Sequence, residues 1–168
     1  IQETWIDTEE EQDIYNLDGY TKHLNSQGRG KGLAIYIKKN KFKYVSDFKS
    51  PNMQISKVTS EIIDVISVYR SQKEAFLSLK NQVQALLDPK KTTLIVGDFN
   101  FCYKISENEF SKFMKKSKFN QLVEAATHIE GGLLDHAYLK CVGNQREATV
   151  ELFSNYYSDH DTVTVFIP

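Results

Sequence analysis

Thr92-Thr93-Leu94-Ile95-Val96-Gly97-Asp98-Phe99-Asn100 is the stretch from which the fold can be read. Four residues from Thr93 to Val96 are β-branched or apolar without alternation, the pattern of a short strand covered on both faces. Gly97 permits a tight exit, and Asp98 and Asn100, two apart, point to the same side. A carboxylate there can orient or deprotonate water, and an amide can hold a phosphate oxygen. An ordinary Gly-Asp turn with Asx hydrogen bonds explains the same residues, so the stretch needs company.

Working outward, a helix precedes this strand. Phe76, Leu79, Val83, Leu86 and Leu87 recur at helical spacing until Pro89 stops them. Before it, Met53 to Val58 and Ile62 to Tyr69 read as paired strands around Thr59-Ser60-Glu61, the second apolar enough to be central. Leu33 to Lys38, a Lys39-Asn40-Lys41 turn and Phe42 to Phe48 read as an antiparallel hairpin. After the strand, Ser106-Glu107-Asn108-Glu109 has the form of a capping box opening a helix that buries Phe110, Phe113 and Met114. Leu133 to Leu139, Thr149 to Phe153 and Thr162 to Ile167 are further strands. Strands outnumber helices and several adjoin, which predicts an α/β domain with mixed sheets. No repeat, low-complexity stretch or Pro/Gly linker divides residues 1–168, so a single domain is expected.

The 168 residues carry a formal net charge of −1 and a 40% hydrophobic fraction, suited to one globular core and unlike a polycation. Nothing approaches the ~20 apolar residues of a membrane helix, and no membrane partner is expected. Cys102 and Cys141 are too few for a disulfide scaffold or a Cys-based zinc site and read as small buried hydrophobes. Lys38, Lys39, Lys41 and Lys43, and again Lys112, Lys115, Lys116 and Lys118, form local basic runs. Glu9, Glu10, Glu11 and Asp13 form an acidic one. Such runs are solvated faces or, when basic, phosphate-contacting patches. Ile1 opens directly into Gln2-Glu3-Thr4 without a cap or turn, which reads as a trimmed start.

Other polar clusters join Asp98 and Asn100 at strand ends. Glu3 is a possible hard-metal ligand, since Mg²⁺ takes one or two carboxylates and several waters. Tyr69 and Arg70 end a buried strand and can both hydrogen-bond phosphate. Leu134-Asp135-His136 and Ser158-Asp159-His160-Asp161 each set a histidine beside carboxylates, which hold its tautomer and favour the charged form.

In this order, Gln-Glu-Thr, Val-Tyr-Arg, Ile-Val-Gly-Asp-Phe-Asn, Leu-Asp-His and Ser-Asp-His resemble the endonuclease/exonuclease/phosphatase superfamily. With Tyr156-Tyr157 before Ser158, they look closest to endonuclease domains of non-LTR retrotransposons and related mobile elements. The resemblance implies a deoxyribonuclease-like four-layer fold, two mixed sheets packed face to face and flanked by helices. It implies a Mg²⁺-dependent endonuclease, with Mn²⁺ able to substitute, acting on DNA inside the cell, in the nucleus, within a larger multidomain mobile-element protein. Inositol phosphates or lipid phosphodiesters are the alternative substrates, and an inactive nucleic-acid-binding fragment is the third possibility. By the resemblance Glu3 binds the metal and Asp159 lies near or on it. Tyr69 contacts the scissile phosphate, Asp98 activates water, Asn100 holds the phosphate, Asp135 orients the catalytic histidine and His160 is that histidine. No role falls to His136. The family's opening strand, which carries an Asn, and the strand leading into Gln-Glu are absent here, so an N-terminally truncated domain is expected.

Overall fold

In a computed structural model the described residues are 1–2, 4, 15–26, 32–105, 107–143 and 147–168. Glu3, the acidic run at 9–13 and Ser106 lie outside them.

The centre is a six-stranded mixed sheet in the order β3-β4-β5-β6-β8-β7. Its strands are β3 (Lys43–Ser50), β4 (Met53–Thr59), β5 (Ile63–Arg70), β6 (Thr92–Asp98), β7 (Asn120–Gln121) and β8 (Asp135–Lys140). β5 and β6 run parallel, with α1 (Phe76–Leu86) as the crossover, and the other pairs are antiparallel. α2 (Glu109–Lys116) follows β6 and packs on α1. β5 is central and buried along most of its length, as its apolar run requires.

Alternation along the strands separates two layers. Ile66, Val68, Ile95 and Tyr138 face the helices and meet Leu79, Val83, Phe110 and Met114. Val96 and Ala137, one residue out of step with Ile95 and Tyr138, meet Val150, Leu152, Val163 and Val165. Those last four belong to the antiparallel ribbon of β9 (Thr149–Phe153) and β10 (Thr162–Phe166). A second ribbon, β1 (Tyr20–Ser26) with β2 (Gly32–Lys38), packs over β4 and β5. Gln2 bridges to Leu33 at its outer edge.

Three local expectations change. The Leu33–Lys38 and Phe42–Phe48 runs are both strands but not a hairpin: β2 pairs with β1, and β3 pairs with β4. The intervening turn, with Asn40 at φ 65°, carries the chain from one layer to the other. Periodicity reports that a segment is extended, not which edge it joins. The helix cap is Asn108, whose side chain accepts from the Ser111 N–H while the Ser111 hydroxyl accepts from the Asn108 N–H, so the box lies two residues beyond the predicted start. Cys102 and Cys141 are free thiols and only half-buried. β1, whose polar Tyr-Thr-Lys-His-Leu-Asn-Ser run lacks an apolar face, and the two-residue β7 escaped the sequence pattern.

Candidate active site

The register of the central sheet sets Tyr69, Asp98 and Asp135 in one row across β5, β6 and β8. Partners in a row point to the same face, here the one toward β9 and β10. The neighbouring row, Val68-Gly97-His136, faces the helices. At that row the two strands touch: a Cβ on Gly97 would lie 1.8 Å from the Val68 carbonyl oxygen, and Gly97 has φ 149°. Only glycine fits, and its close approach brings Asp98 beside Tyr69.

Asp98 and Asn100 form a closed turn. The Asn100 N–H donates to Asp98 Oδ1 at 2.8 Å, and its Nδ2 donates to Oδ2 at 2.8 Å. Asn100 holds φ 50°, a left-handed conformation that asparagine tolerates better than most residues. Its second amide hydrogen points elsewhere, so it can pin Asp98 and still reach a phosphate oxygen. Arg70 supports this turn rather than exposing its charge. It is buried, donates to the Phe99 carbonyl at 2.9 Å and to the Glu74 carbonyl, and lies 4.2 Å over the Phe76 ring. The sequence had paired it with Tyr69 as a phosphate contact; burial makes it a tether between two loops.

From the other layer, the Ser158–Asp161 segment is fastened to Thr127–Ile129. Asp161 N–H donates to the Thr127 carbonyl at 2.7 Å, and Ile129 N–H to the Asp159 carbonyl at 2.9 Å. This fastening brings His160 to Asp135, with Nδ1 and Oδ2 2.7 Å apart. The hydrogen bond that Nδ1–H donates to Asp135 holds the imidazolium, and the charges of Asp135, Asp98 and Asp159 add to it. Together they outweigh burial and push the His160 pKa up to about 9.

Asp98, Asp135, Asp159 and His160 line one cavity of about 920 Å³, which Gln2 also borders. Asp98, Asn100, Asp159 and His160 line an adjoining one of about 430 Å³. Tyr69 stands beside Asp98 in the sheet but is buried and lines neither. The two lysine runs are exposed and line neither cavity. Lys43 pairs with Thr59, at the end of the sheet away from Asp98. They are solvated surfaces.

His136 is a core residue. Its ring stacks on Phe99 at 4.9 Å and 10°, and is 1% exposed. Tyr138 Oη lies 2.9 Å from Nδ1, while the Phe101 and Leu133 carbonyls each lie 3.1 Å from Nε2. Carbonyls only accept, so Nε2 carries the hydrogen and the Tyr138 hydroxyl donates to Nδ1. Burial, opposed by those carbonyls and by Asp135, lowers the pKa to about 4.

Sequence reasoning missed Thr127 and His128. Thr127 is fully buried, and its hydroxyl accepts from the Leu134 and Asp135 N–H groups at 3.1 and 3.0 Å, which fixes where β8 begins. His128 lines the smaller cavity, edge-on to His160 at 4.8 Å. The only signal was a Thr-His pair ahead of Gly131-Gly132-Leu133-Leu134-Asp135, a turn that folds back on itself.

The oxygen donors of Asp98, Asn100 and Asp159 suit a hard divalent ion, and the Asp159 side chain, 66% exposed, leaves room for the waters such an ion keeps. One ring nitrogen each of His128 and His160 and an oxygen of Asp159 also lie within 4.8 Å of one another, a spacing that a metal ion can bridge.

An α/β sandwich with an Asp–His pair and an Asp–Asn turn at one end of its central strands is the frame of a hydrolase of phosphate esters. The sequence matches the Endonuclease/Exonuclease/phosphatase family over residues 1–160, and the chain belongs to that family. Among solved structures, it resembles the endonuclease domain of TRAS1, a telomere-specific non-LTR retrotransposon. That match has 13% identity and TM-score 0.62, covering 90% of this chain and 80% of that one. CdtB, the biologically active subunit of cytolethal distending toxin, matches at 15% identity and TM-score 0.60 over 84% of this chain and 63% of its own. A family protein from Bacteroides thetaiotaomicron matches at 13% identity and TM-score 0.56, over 93% and 75%. At these identities the likeness shows the fold. No curated protein sequence matches the chain. Among the described residues no helix is long and apolar enough to cross a membrane.

Proposed function

We propose that this chain is a divalent-metal-dependent DNA endonuclease that nicks its substrate by attack of water on a phosphodiester. The observation that carries the reading is the Asp135–His160 pair, 2.7 Å apart, opening onto the cleft that Asp98 also lines. His160, charged at neutral pH, donates Nδ1–H to Asp135 and presents Nε2–H to the phosphate or leaving oxygen, where negative charge grows. Asp98, held by Asn100, accepts the proton of the attacking water. Asn100 uses its second amide hydrogen on a phosphate oxygen, while Tyr69, buried beside Asp98 and lining neither cavity, backs the Asp98 strand from within the sheet.

Glu3 and Asp159 would hold Mg²⁺ or Mn²⁺. When bound, the ion polarises the phosphate and neutralises charge in the transition state. The likeness to the TRAS1 endonuclease domain supports DNA as the substrate and a mobile-element protein as the setting, and so a nuclear site of action. Tyr156 and Tyr157, 95% and 92% exposed just before Ser158, offer nucleotide-stacking surface beside the cleft.

Supercoiled plasmid with Mg²⁺ tests the reading. Wild type should convert it to nicked circles, EDTA should abolish this, and Asp98→Asn or His160→Ala should each slow it at least about 100-fold. Cleavage that persists in EDTA, or in either variant near the wild-type rate, overturns it.

A further inference from the structure

His128 has no part in the reading above, yet it faces the same cleft. Its position is rigid. Both Thr127 N–H and His128 N–H donate to the Gly132 carbonyl at 2.9 and 3.0 Å, and the backbone of residue 128 bridges to that of His160. The side chain is 15% exposed.

The protonation of its ring follows from its partners. The Glu130 N–H donates to His128 Nδ1 at 3.1 Å, so that nitrogen presents a lone pair and the ring hydrogen of the neutral form sits on Nε2. A metal at Nε2 would need that hydrogen removed from a ring whose other nitrogen is already bare. The spacing with Asp159 and His160 suits a metal; the tautomer does not. His128 Nε2–H is a donor. Its present neighbour is Asp159 Oδ2 at 3.4 Å, long for a charge-assisted hydrogen bond, so an incoming anion can take the donor over.

His160 brings a second donor. Its Nδ1 is engaged by Asp135, which leaves Nε2 for the cleft. Two hydrogen bonds of ~2.8 Å that meet at a roughly tetrahedral angle hold their donors about 4.6 Å apart. One nitrogen of each ring lies within 4.8 Å of the other.

We propose that His128 is a phosphate-binding residue of the cleft, its Nε2–H donating to a non-bridging oxygen of the scissile phosphodiester while His160 approaches from the adjoining side. The substrate phosphate is then gripped by two imidazoles from two segments that are stitched together, Thr127–Ile129 and Ser158–Asp161. The inference rests on the proposed phosphodiesterase reading and adds a specific substrate contact to it.

The test uses the whole chain, with His128→Ala and His128→Gln. Binding of inorganic phosphate is followed by NMR shifts of the histidine side chains, kcat and KM by nicking of a DNA duplex with Mg²⁺, and folding by thermal melting. Losing one hydrogen bond to a charged oxygen should weaken phosphate binding and lower kcat/KM about tenfold in the alanine variant. Glutamine, which keeps an N–H donor, should recover most of that loss. Unchanged phosphate affinity in His128→Ala beside a lowered melting temperature would make His128 structural and overturn the proposal, as would a wild type that binds no phosphate. If phosphate binding depends on His128 but no DNA is cut, the phosphate contact stands and the endonuclease reading fails.

Discussion

Acid should destabilise this protein through His136, a residue outside the chemistry. Unfolded, its imidazole titrates near 6.5; in the core burial lowers it to about 4. A depressed histidine favours protonation of the unfolded chain. The stability it protects is therefore complete above pH 6.5 and lost progressively as pH falls toward 4. The 2.5-unit gap corresponds to about 3 kcal/mol, of which about 2 kcal/mol is already gone at pH 5. That is a large share of the roughly 5–15 kcal/mol typical of a domain. His160 has the opposite sign, since its pKa is raised, and its contribution is present below 6.5 and lost as pH climbs through about 9. The two must be separated by a variant. His136→Phe keeps the stack on Phe99 but strands the Tyr138 hydroxyl and the Phe101 carbonyl, the Leu133 carbonyl still accepting from the Tyr103 N–H; the cost is roughly constant, about 1–3 kcal/mol per group. Urea unfolding at pH 7.5 and pH 5 gives the comparison. Between those values wild type should lose about 2 kcal/mol more than His136→Phe. Parallel losses in the two proteins would refute the assignment of a neutral, buried His136.

Asp135→Asn removes the main cause of the raised His160 pKa. The alkaline limb of the nicking profile should move from near pH 9 toward 6.5, because the charged imidazole is then lost earlier; an unmoved limb would separate Asp135 from His160. Gly97→Ala must part β5 from β6 and hold alanine in a region L-residues avoid. Unfolding should fall by about 2–5 kcal/mol, combining backbone strain and overpacking. A variant as stable as wild type would show that the strands are not in contact there.

How much was legible follows from what each feature depends on. Strand β6, its parallel partner β5 and the helix between them were readable because their apolar periods are local. Asp98 and Asn100 were marked by the glycine exit that precedes them. His160 and Asp135 were named from motif order, but their 2.7 Å hydrogen bond needs the ribbon of β9 and β10 to fold over β8. By residue type Arg70 read as a phosphate contact and the two histidines read alike beside their carboxylates, motif order alone singling out His160; burial then divided all three. Arg70 became a tether, His136 a neutral core ring and His160 a cation. Thr127 and His128 had only a Thr-His pair ahead of a glycine turn to mark them, since a hydroxyl that positions Asp135 and an imidazole facing His160 acquire meaning only across the chain. Taken alone, the sequence determined which apolar segments are extended or helical and which residue types gather at strand ends, because those depend on neighbours a few positions away; the polar β1 and the two-residue β7 carried no such pattern. Tertiary structure alone decided edge pairing, protonation and which donors share a cleft. Each of these depends on the distance and dielectric between groups far apart in the chain.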